Sequence, residues 1–529
     1  MSGIRLRGSP RAYGPIGMDP RWQNITDPVF HYAVERPQAV AFHEGHVSLT
    51  YGALAPLVGK AAVCLDGLGI RAGDPVGICL TNSIDHFILT LGLLRLGATV
   101  MEIPYDAQQA PSAELLAKFN ICTVFLEPNT VPVEGIKSVR VDGGWRRQIE
   151  QATGDLRHSG TGDDIFTITL TSGTTGATKG SLTSHRRYFQ RLRAYEELLA
   201  PTGVFSSEKP AVFLLTSSIG YSTFFRRMVS HLFIGGSVAI LPEFFYVLDL
   251  VKAIAAWENA YCFVPSAFCR VLIGCAPAQD VLFPRLRALV TGGGFLYAEE
   301  KLAMLSRVTP HFYETYGASG FGTLSVLAPG AMRERGASVG RPPSSVDVQV
   351  IGRDGSPLPV GSVGRLRCRG TESKGFVGDT NLEGDERFRD GWYYPGDFAE
   401  LDAAGYIYLK GRAADVIVRR KGVEVFAYDI EQSLAAHPSV AEVAIVGVPR
   451  PVPGEELVAV VVPRGQVRHE ALVSHCRASL PADHWPDRVF YAQSLPKTSA
   501  GKLDRTRVRE LAMTEIRRQL GGARNVPEA

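Results

Sequence analysis

Thr171-Ser172-Gly173-Thr174-Thr175-Gly176-Ala177-Thr178-Lys179-Gly180 is the stretch on which the reading of this chain turns. The six residues before it, 165–170, run Ile-Phe-Thr-Ile-Thr-Leu, an alternating and β-branched pattern that predicts a strand. After the strand come three glycines, four threonines, one serine and one lysine, with almost no bulk. Glycine lets main-chain N–H groups turn inward and approach a ligand closely. The hydroxyls add donors and Lys179 adds a positive charge, and a concave row of donors beside a cation suits a polyphosphate. The common P-loop places Gly directly before its Lys and Ser or Thr directly after it; here Thr178 precedes Lys179 and Gly180 follows. A flexible surface loop has the same composition, so on this stretch alone both readings stay open.

Composition narrows the setting. A chain of 529 residues exceeds one ordinary core and predicts roughly three to four domains or subdomains. An apolar fraction of 45% and a charged fraction of 21% are those of a globular protein. A net charge of +3 argues against nucleic acid or an anionic membrane as partner. The eight cysteines are scattered with no CxxC pair, which suits reduced thiols in a cytoplasmic enzyme. Arg5, Arg7 and Arg11 are followed by no apolar run, so no secretory leader is expected. The most apolar stretch, 87–100, is broken by Arg95 and two glycines and is too short to span a bilayer.

Outward from the loop, helical and strand patterns alternate. Residues 1–25, rich in Gly, Pro and Arg, predict a loose arm. Asp27-Pro28 predicts a helix start with Asp as cap. Residues 40–42 and 47–49 flank Glu44-Gly45 as a hairpin, 51–68 and 84–96 read as helices, and 76–80 and 123–126 as strands. The alternation predicts a layered α/β architecture with parallel strands. Past the loop, 184–199 reads as a basic amphipathic helix and 212–215 as a strand. Residues 288–290 run as a strand into the glycine turn Gly292-Gly293-Gly294. Residues 346–351 and 364–369, with turns at Asp354-Gly355 and Pro359-Val360-Gly361, predict a β-rich subdomain.

Four further strings share the chain with the first: Tyr316-Gly317-Ala318-Ser319-Gly320; Asp390-Gly391-Trp392-Tyr393-Tyr394-Pro395-Gly396-Asp397; Gly411-Arg412; and Leu495-Pro496-Lys497-Thr498-Ser499-Ala500-Gly501-Lys502. In this order, over about residues 30 to 510, they resemble the adenylate-forming superfamily of acyl-CoA synthetases, peptide-synthetase adenylation domains and luciferases, closest in pattern to acyl-CoA ligases. The resemblance implies a large domain over 26–411 that binds ATP and the acid, and a small mobile α+β domain over 412–529 with its hinge at Ala414. It implies that Thr171, Ser172, Gly173, Thr174, Thr175, Gly176 and Lys179 hold the phosphates. Gly293 and Tyr316 would border the adenine, Asp397 the ribose hydroxyls, and Arg412 the nucleotide. Ser319 would donate to the α-phosphate, and Lys502 would stabilise charge between the substrate carboxylate and phosphorus. Ser217, Tyr221, Phe224 and Gly294 would border the acid.

The implied reaction joins a small-molecule carboxylic acid to AMP from ATP with Mg²⁺, then passes the acyl group to a thiol, most simply coenzyme A. Amino-acid-activating relatives pair the substrate ammonium with an Asp near the 217–221 loop. Residues 214–225 contain no Asp or Glu, and a buried cation without a counter-charge is costly, so an acid without an ammonium is expected. The chain departs from the usual pattern in five places: Thr178 stands for proline, Ser217 for a frequent His, Pro395 for Thr or Ser, Ala414 for a charged hinge residue, and Gly320 for the glutamate that helps hold Mg²⁺. Two other readings stay open: a ligase that loads a carrier protein or another nucleophile, and a nonenzymatic nucleotide- or acyl-binding relative, to which Gly320 points.

Overall fold

The computed structural model describes residues 22–106, 109–156, 160–172, 178–206, 209–242, 246–318, 321–370, 387–450, 452–497 and 503–522. An eight-stranded sheet runs in the order Gly322–Leu327, Phe312–Ala318, Ala288–Gly292, Ala260–Pro265, Val212–Leu215, Val238–Ile240, Val40–Glu44, Val47–Thr50. Its six inner strands are parallel and the two edge strands antiparallel. A six-stranded sheet runs Lys137–Arg140, Thr123–Leu126, Pro75–Cys79, Thr99–Glu102, Ile165–Ser172, Thr178–Ser184, again parallel except for its last pair. Helix Ile84–Leu96 packs against strands of both sheets. That position explains why it is buried almost all round and carries apolar residues on every face. Ser83 caps its start by accepting from the His86 amide.

The stretch 87–100 is therefore a core helix leading into a core strand. Its odd charge, Arg95, pairs with Asp27 at 3.0 Å and lies 4.0 Å over the Phe30 ring. Asp27 does not cap its helix as the sequence predicts. Thr26 takes the cap position, and the Asp27 carboxylate turns back to accept from the amides of Gln23 and Asn24, each at 2.8 Å. The arm also ends earlier than residue 25. Asn24 and Ile25 are buried; Asn24 donates to the Leu94 carbonyl at 2.8 Å and the Ile25 amide to His185 at 3.0 Å.

A third, all-antiparallel sheet contains Val346–Ile351, Gly364–Gly370, Asp397–Leu401 and Ile407–Arg412, the expected β-rich subdomain. Towards the C-terminus, Val440–Pro449, Glu455–Pro463 and Arg488–Tyr491 form a three-stranded sheet. Helices Ala427–Ala435 and His469–Ser479 pack in one apolar cluster with it, and helix Arg505–Gly522 in another. Among the described residues no helix is long and apolar enough to cross a membrane.

Candidate active site

The described ends of the hydroxyl-rich stretch lie on two paired strands. Strand Ile165–Ser172 is followed by Thr178–Ser184, a strand the sequence pattern does not announce, and the two pair antiparallel from Ser172 with Thr178 and Thr171 with Lys179 downward. The second strand lies flat because Gly180 has no side chain: a Cβ there would stand 2.2 Å from the Phe119 ring. Gly173, Thr174, Thr175 and Gly176 lie outside the described residues, as do Ser319, Gly320 and Lys502.

Three predicted nucleotide residues converge. Asp397 and Arg412 are register partners on adjacent antiparallel strands, so their side chains share a face. Arg412 Nε lies 3.0 Å from Asp397 Oδ1, and its Nη1 donates to the Pro395 carbonyl at 3.1 Å. From the eight-stranded sheet, the Tyr316 hydroxyl donates to Asp397 Oδ2. Burial raises the Asp397 carboxyl above the usual carboxylate range, opposed by the Arg412 charge and the Tyr316 hydrogen bond. Burial, then the Asp397 charge, raises the Tyr316 phenol well above its ordinary value. A carboxylate oxygen accepts at two lone pairs, so each Asp397 oxygen keeps an acceptor position for a diol.

The glycine turn lies beside this cluster. Gly292 pairs with Thr315 in the sheet, and a Cβ on it would meet the Thr315 carbonyl at 2.5 Å. Gly293 has φ +80°, a left-handed conformation that favours glycine. A Cβ on Gly294 would stand 3.2 Å from Ser266 Cβ, and the buried Ser266 hydroxyl has no hydrogen-bond partner among the described residues. Next to the turn, Phe295 packs edge-on against Tyr428 of helix Ala427–Ala435 at 4.3 Å. The turn thus also seats a helix from the C-terminal part of the chain.

The loop 217–221 is bracketed by Asn82, a residue the sequence reading missed. Its amide donates to the Ser217 carbonyl at 2.8 Å and accepts from the Ile219 amide at 3.1 Å. Gly220 presses on another sheet's outlet: a Cβ there would be 2.3 Å from the Pro104 nitrogen. Tyr221 is exposed at the start of helix Ser222–Phe233. Phe224, expected at the acid pocket, is 2% exposed and packs edge-on against Phe263.

Glu314 does not stand in for the missing metal carboxylate. It is buried and ion-paired with Lys301 at 2.6 Å. Lys301 also donates to the carbonyls of Gly336 and Ser338 at 2.7 and 2.9 Å. Among the described residues no cluster of His, Cys, Asp and Glu could hold a metal ion. Ala414 lies in the short 3₁₀ turn Ala413–Asp415, directly after Arg412; the Ala413 amide donates to the Gly396 carbonyl at 2.8 Å, and Asp415 pairs with Arg505 at 3.4 Å.

Comparison with known proteins identifies a family and a fold for the chain. Residues 29–374 match the family described as AMP-binding enzyme, and residues 429–502 the AMP-binding enzyme C-terminal domain. The chain is 28% identical to sulfoacetate–CoA ligase of Cupriavidus necator over 501 residues, covering 90% of this chain and 94% of that protein. It is 25% identical to the long-chain-fatty-acid–CoA ligase FadD13 of Mycobacterium tuberculosis, covering 90% and 95%. The fold superposes on ATP-bound MatB from Rhodopseudomonas palustris with a TM-score of 0.79 at 22% identity, covering 92% and 98%.

Proposed function

Because this chain belongs to the AMP-binding enzyme family, we propose that it activates a carboxylic acid with ATP and transfers the acyl group to the thiol of coenzyme A. The reading rests above all on the meeting of Tyr316, Asp397 and Arg412 beside the Gly292–Gly294 turn. The CoA ligases among its relatives support the acceptor.

A carboxylate resists nucleophilic attack because its charge and resonance deactivate the carbonyl. In the first half-reaction a carboxylate oxygen attacks the α-phosphorus of ATP, and the bond to pyrophosphate breaks. In the second, the thiol sulfur attacks the acyl carbonyl, the bond to AMP breaks, and the thiol proton leaves to solvent. The assigned roles are positional and electrostatic. Asp397 accepts from the ribose diol, Arg412 holds Asp397, and Tyr316 borders the base. The stretch from Thr171 to Lys179 cradles the phosphates. Ser319 and Lys502 serve the α-phosphate and the reacting carboxylate. The joint between the 26–411 and 412–529 units lies at Ala414, and Lys502 leaves when the smaller unit turns. Glu314 is committed to Lys301 and Asp397 to Tyr316 and Arg412, and no step is routed through a protein-held metal.

The test is acid-dependent pyrophosphate release across an acid panel, with coenzyme A and then a carrier protein as acceptor. Lys502→Ala should lower acyl-adenylate formation by roughly 100-fold or more and leave ATP affinity largely unchanged. Parallel loss of ATP binding and folding refutes the role of Lys502.

A further inference from the structure

Helix Ser222–Phe233 carries two adjacent arginines into a largely apolar setting. Arg227 is 1% exposed: its Nη1 donates to the Thr223 carbonyl at 2.8 Å, its guanidinium lies 3.9 Å over the Phe263 ring, and its Nε is left without a hydrogen-bond partner among the described residues. Arg226 is part-exposed. Its Nε too is buried with no hydrogen-bond partner among the described residues, and its one described ring contact is Tyr195 at 5.7 Å. Neither arginine forms an ion pair with a carboxylate among the described residues, and its charged neighbours, Arg227 and Arg191, are of its own sign. Burial, reinforced by those like charges, pulls the Arg226 guanidinium down to about 10. An arginine drawn this far into an apolar setting is normally neutralised by a carboxylate or tied to carbonyls, because a charge taken out of water without a partner is costly.

Its position relates it to the site. Arg226 Nη1 and the Arg191 Cγ and Cδ all come within 4 Å of where a Cβ on Gly322 would stand. Gly322 pairs with Ala318, the pair nearest the turn of the hairpin that joins Phe312–Ala318 to Gly322–Leu327; residues 319–320 between them lie outside the described residues. The same helix begins directly after the 217–221 loop. Arg226 therefore lies in the first turns of the helix that follows the loop assigned to the acid, and beside the start of strand Gly322–Leu327.

We propose that Arg226 receives a second anionic group on the acid, so that the substrate is a dicarboxylic or sulfo-carboxylic acid: one carboxylate reacts at the α-phosphorus while the other oxyanion docks on the guanidinium. This rests on the acid-activating reading above. A planar guanidinium offers a two-pronged match to carboxylate or sulfonate oxygens.

The test compares succinate, glutarate and adipate with their monomethyl esters, which keep one reactive carboxylate and lose the other charge, and adds sulfoacetate and 3-sulfopropionate to separate the two oxyanions. Acid-dependent pyrophosphate release is measured for the native enzyme, Arg226→Gln and Arg226→Lys, with acid and ATP binding measured separately by calorimetry. At least one dianionic acid should exceed its monoester by roughly 10- to 100-fold in kcat/KM. Arg226→Gln should abolish that preference through KM, Arg226→Lys should recover part of it, and ATP affinity should stay within about 3-fold. Preference for the monoesters, or an unchanged preference in Arg226→Gln, overturns the proposal and leaves acid activation standing. Equal loss of ATP affinity in Arg226→Gln overturns it in favour of a phosphate contact. If no acid turns over, the activation reading fails; calorimetry still decides Arg226, and absence of dianion binding that depends on it overturns the proposal. If Arg226→Gln fails to fold, Arg226→Lys carries the comparison, and an unaltered dianion preference in it, with unaltered KM, counts against the docking role.

Discussion

Replacing Lys301 by Met should unfasten the strand that carries Tyr316. Lys301 is fully buried and makes three polar contacts: the Glu314 carboxylate and the carbonyls of Gly336 and Ser338. Removing one partner of a buried ion pair costs about 3–5 kcal/mol. Each stranded carbonyl adds about 1 kcal/mol, so Lys301→Met should lose ~6 kcal/mol, comparable with the whole stability of many domains. Burial raises the Glu314 carboxyl, and Lys301 is what pulls it back down. Without Lys301 the carboxyl rises further. In that window the folded state binds more protons than the unfolded one, so stability falls as pH rises through the folded value and is recovered as pH falls towards the ordinary carboxylate range. The deficit of Lys301→Met should therefore be largest near pH 8 and shrink towards pH 5. The double variant Lys301→Met/Glu314→Leu removes both charges and should return to within about 2 kcal/mol of native, the residue of the two carbonyls. Urea unfolding at pH 8 and pH 5 reads all three quantities. A cost under about 1 kcal/mol, a deficit that does not shrink in acid, or a double variant no better than the single one refutes the reasoning.

Asp397→Asn should weaken adenosine binding about 10-fold or more by losing a charge-assisted acceptor; calorimetry checks this. Because burial raises the Asp397 carboxyl, adenosine affinity of the native enzyme should begin to fall at a pH above the ordinary aspartate range as the solution is acidified, and Asp397→Asn should flatten that dependence. Gly220→Ala places a Cβ 2.3 Å from the Pro104 nitrogen, a backbone atom that cannot swing aside. It should cost about 1–3 kcal/mol and raise the KM for the acid while leaving ATP binding intact, as thermal unfolding and pyrophosphate release would show.

Some periodic elements were legible from sequence because their pattern is local: helix Ile84–Leu96 and strands Pro75–Cys79, Thr123–Leu126 and Val212–Leu215 fall where apolar spacing predicts them. Strand Thr178–Ser184 was not, since its glycine and hydroxyl residues carry no apolar alternation and its place in the sheet depends on Gly180 fitting against Phe119. Asp27 has the composition of a cap, yet Arg95, distant in sequence, and two upstream amides claim its oxygens. Asp397 and Arg412 were each picked out by motif, but their facing register follows from strand pairing that no local signal specifies. The Asn82 bracket left no trace in the sequence. Arg226-Arg227 left none either: at about 100° per residue both fall on the arc opposite Phe224, Phe225, Met228 and Val229, which reads as an ordinary solvent-facing stripe.

The clamp on loop 217–221 has a consequence for remodelling. Asn82 and Pro104 belong to the outlets of strands in the six-stranded sheet, whereas the loop they fix continues strand Val212–Leu215 of the eight-stranded one. Swapping in a relative's 217–221 segment to change acid preference would carry over a shape without its mould. Grafts that bring the residues matching 82 and 103–104 along with the segment should keep their activity where segment-only grafts lose it, so the unit of inheritance for this pocket wall is discontinuous in the chain.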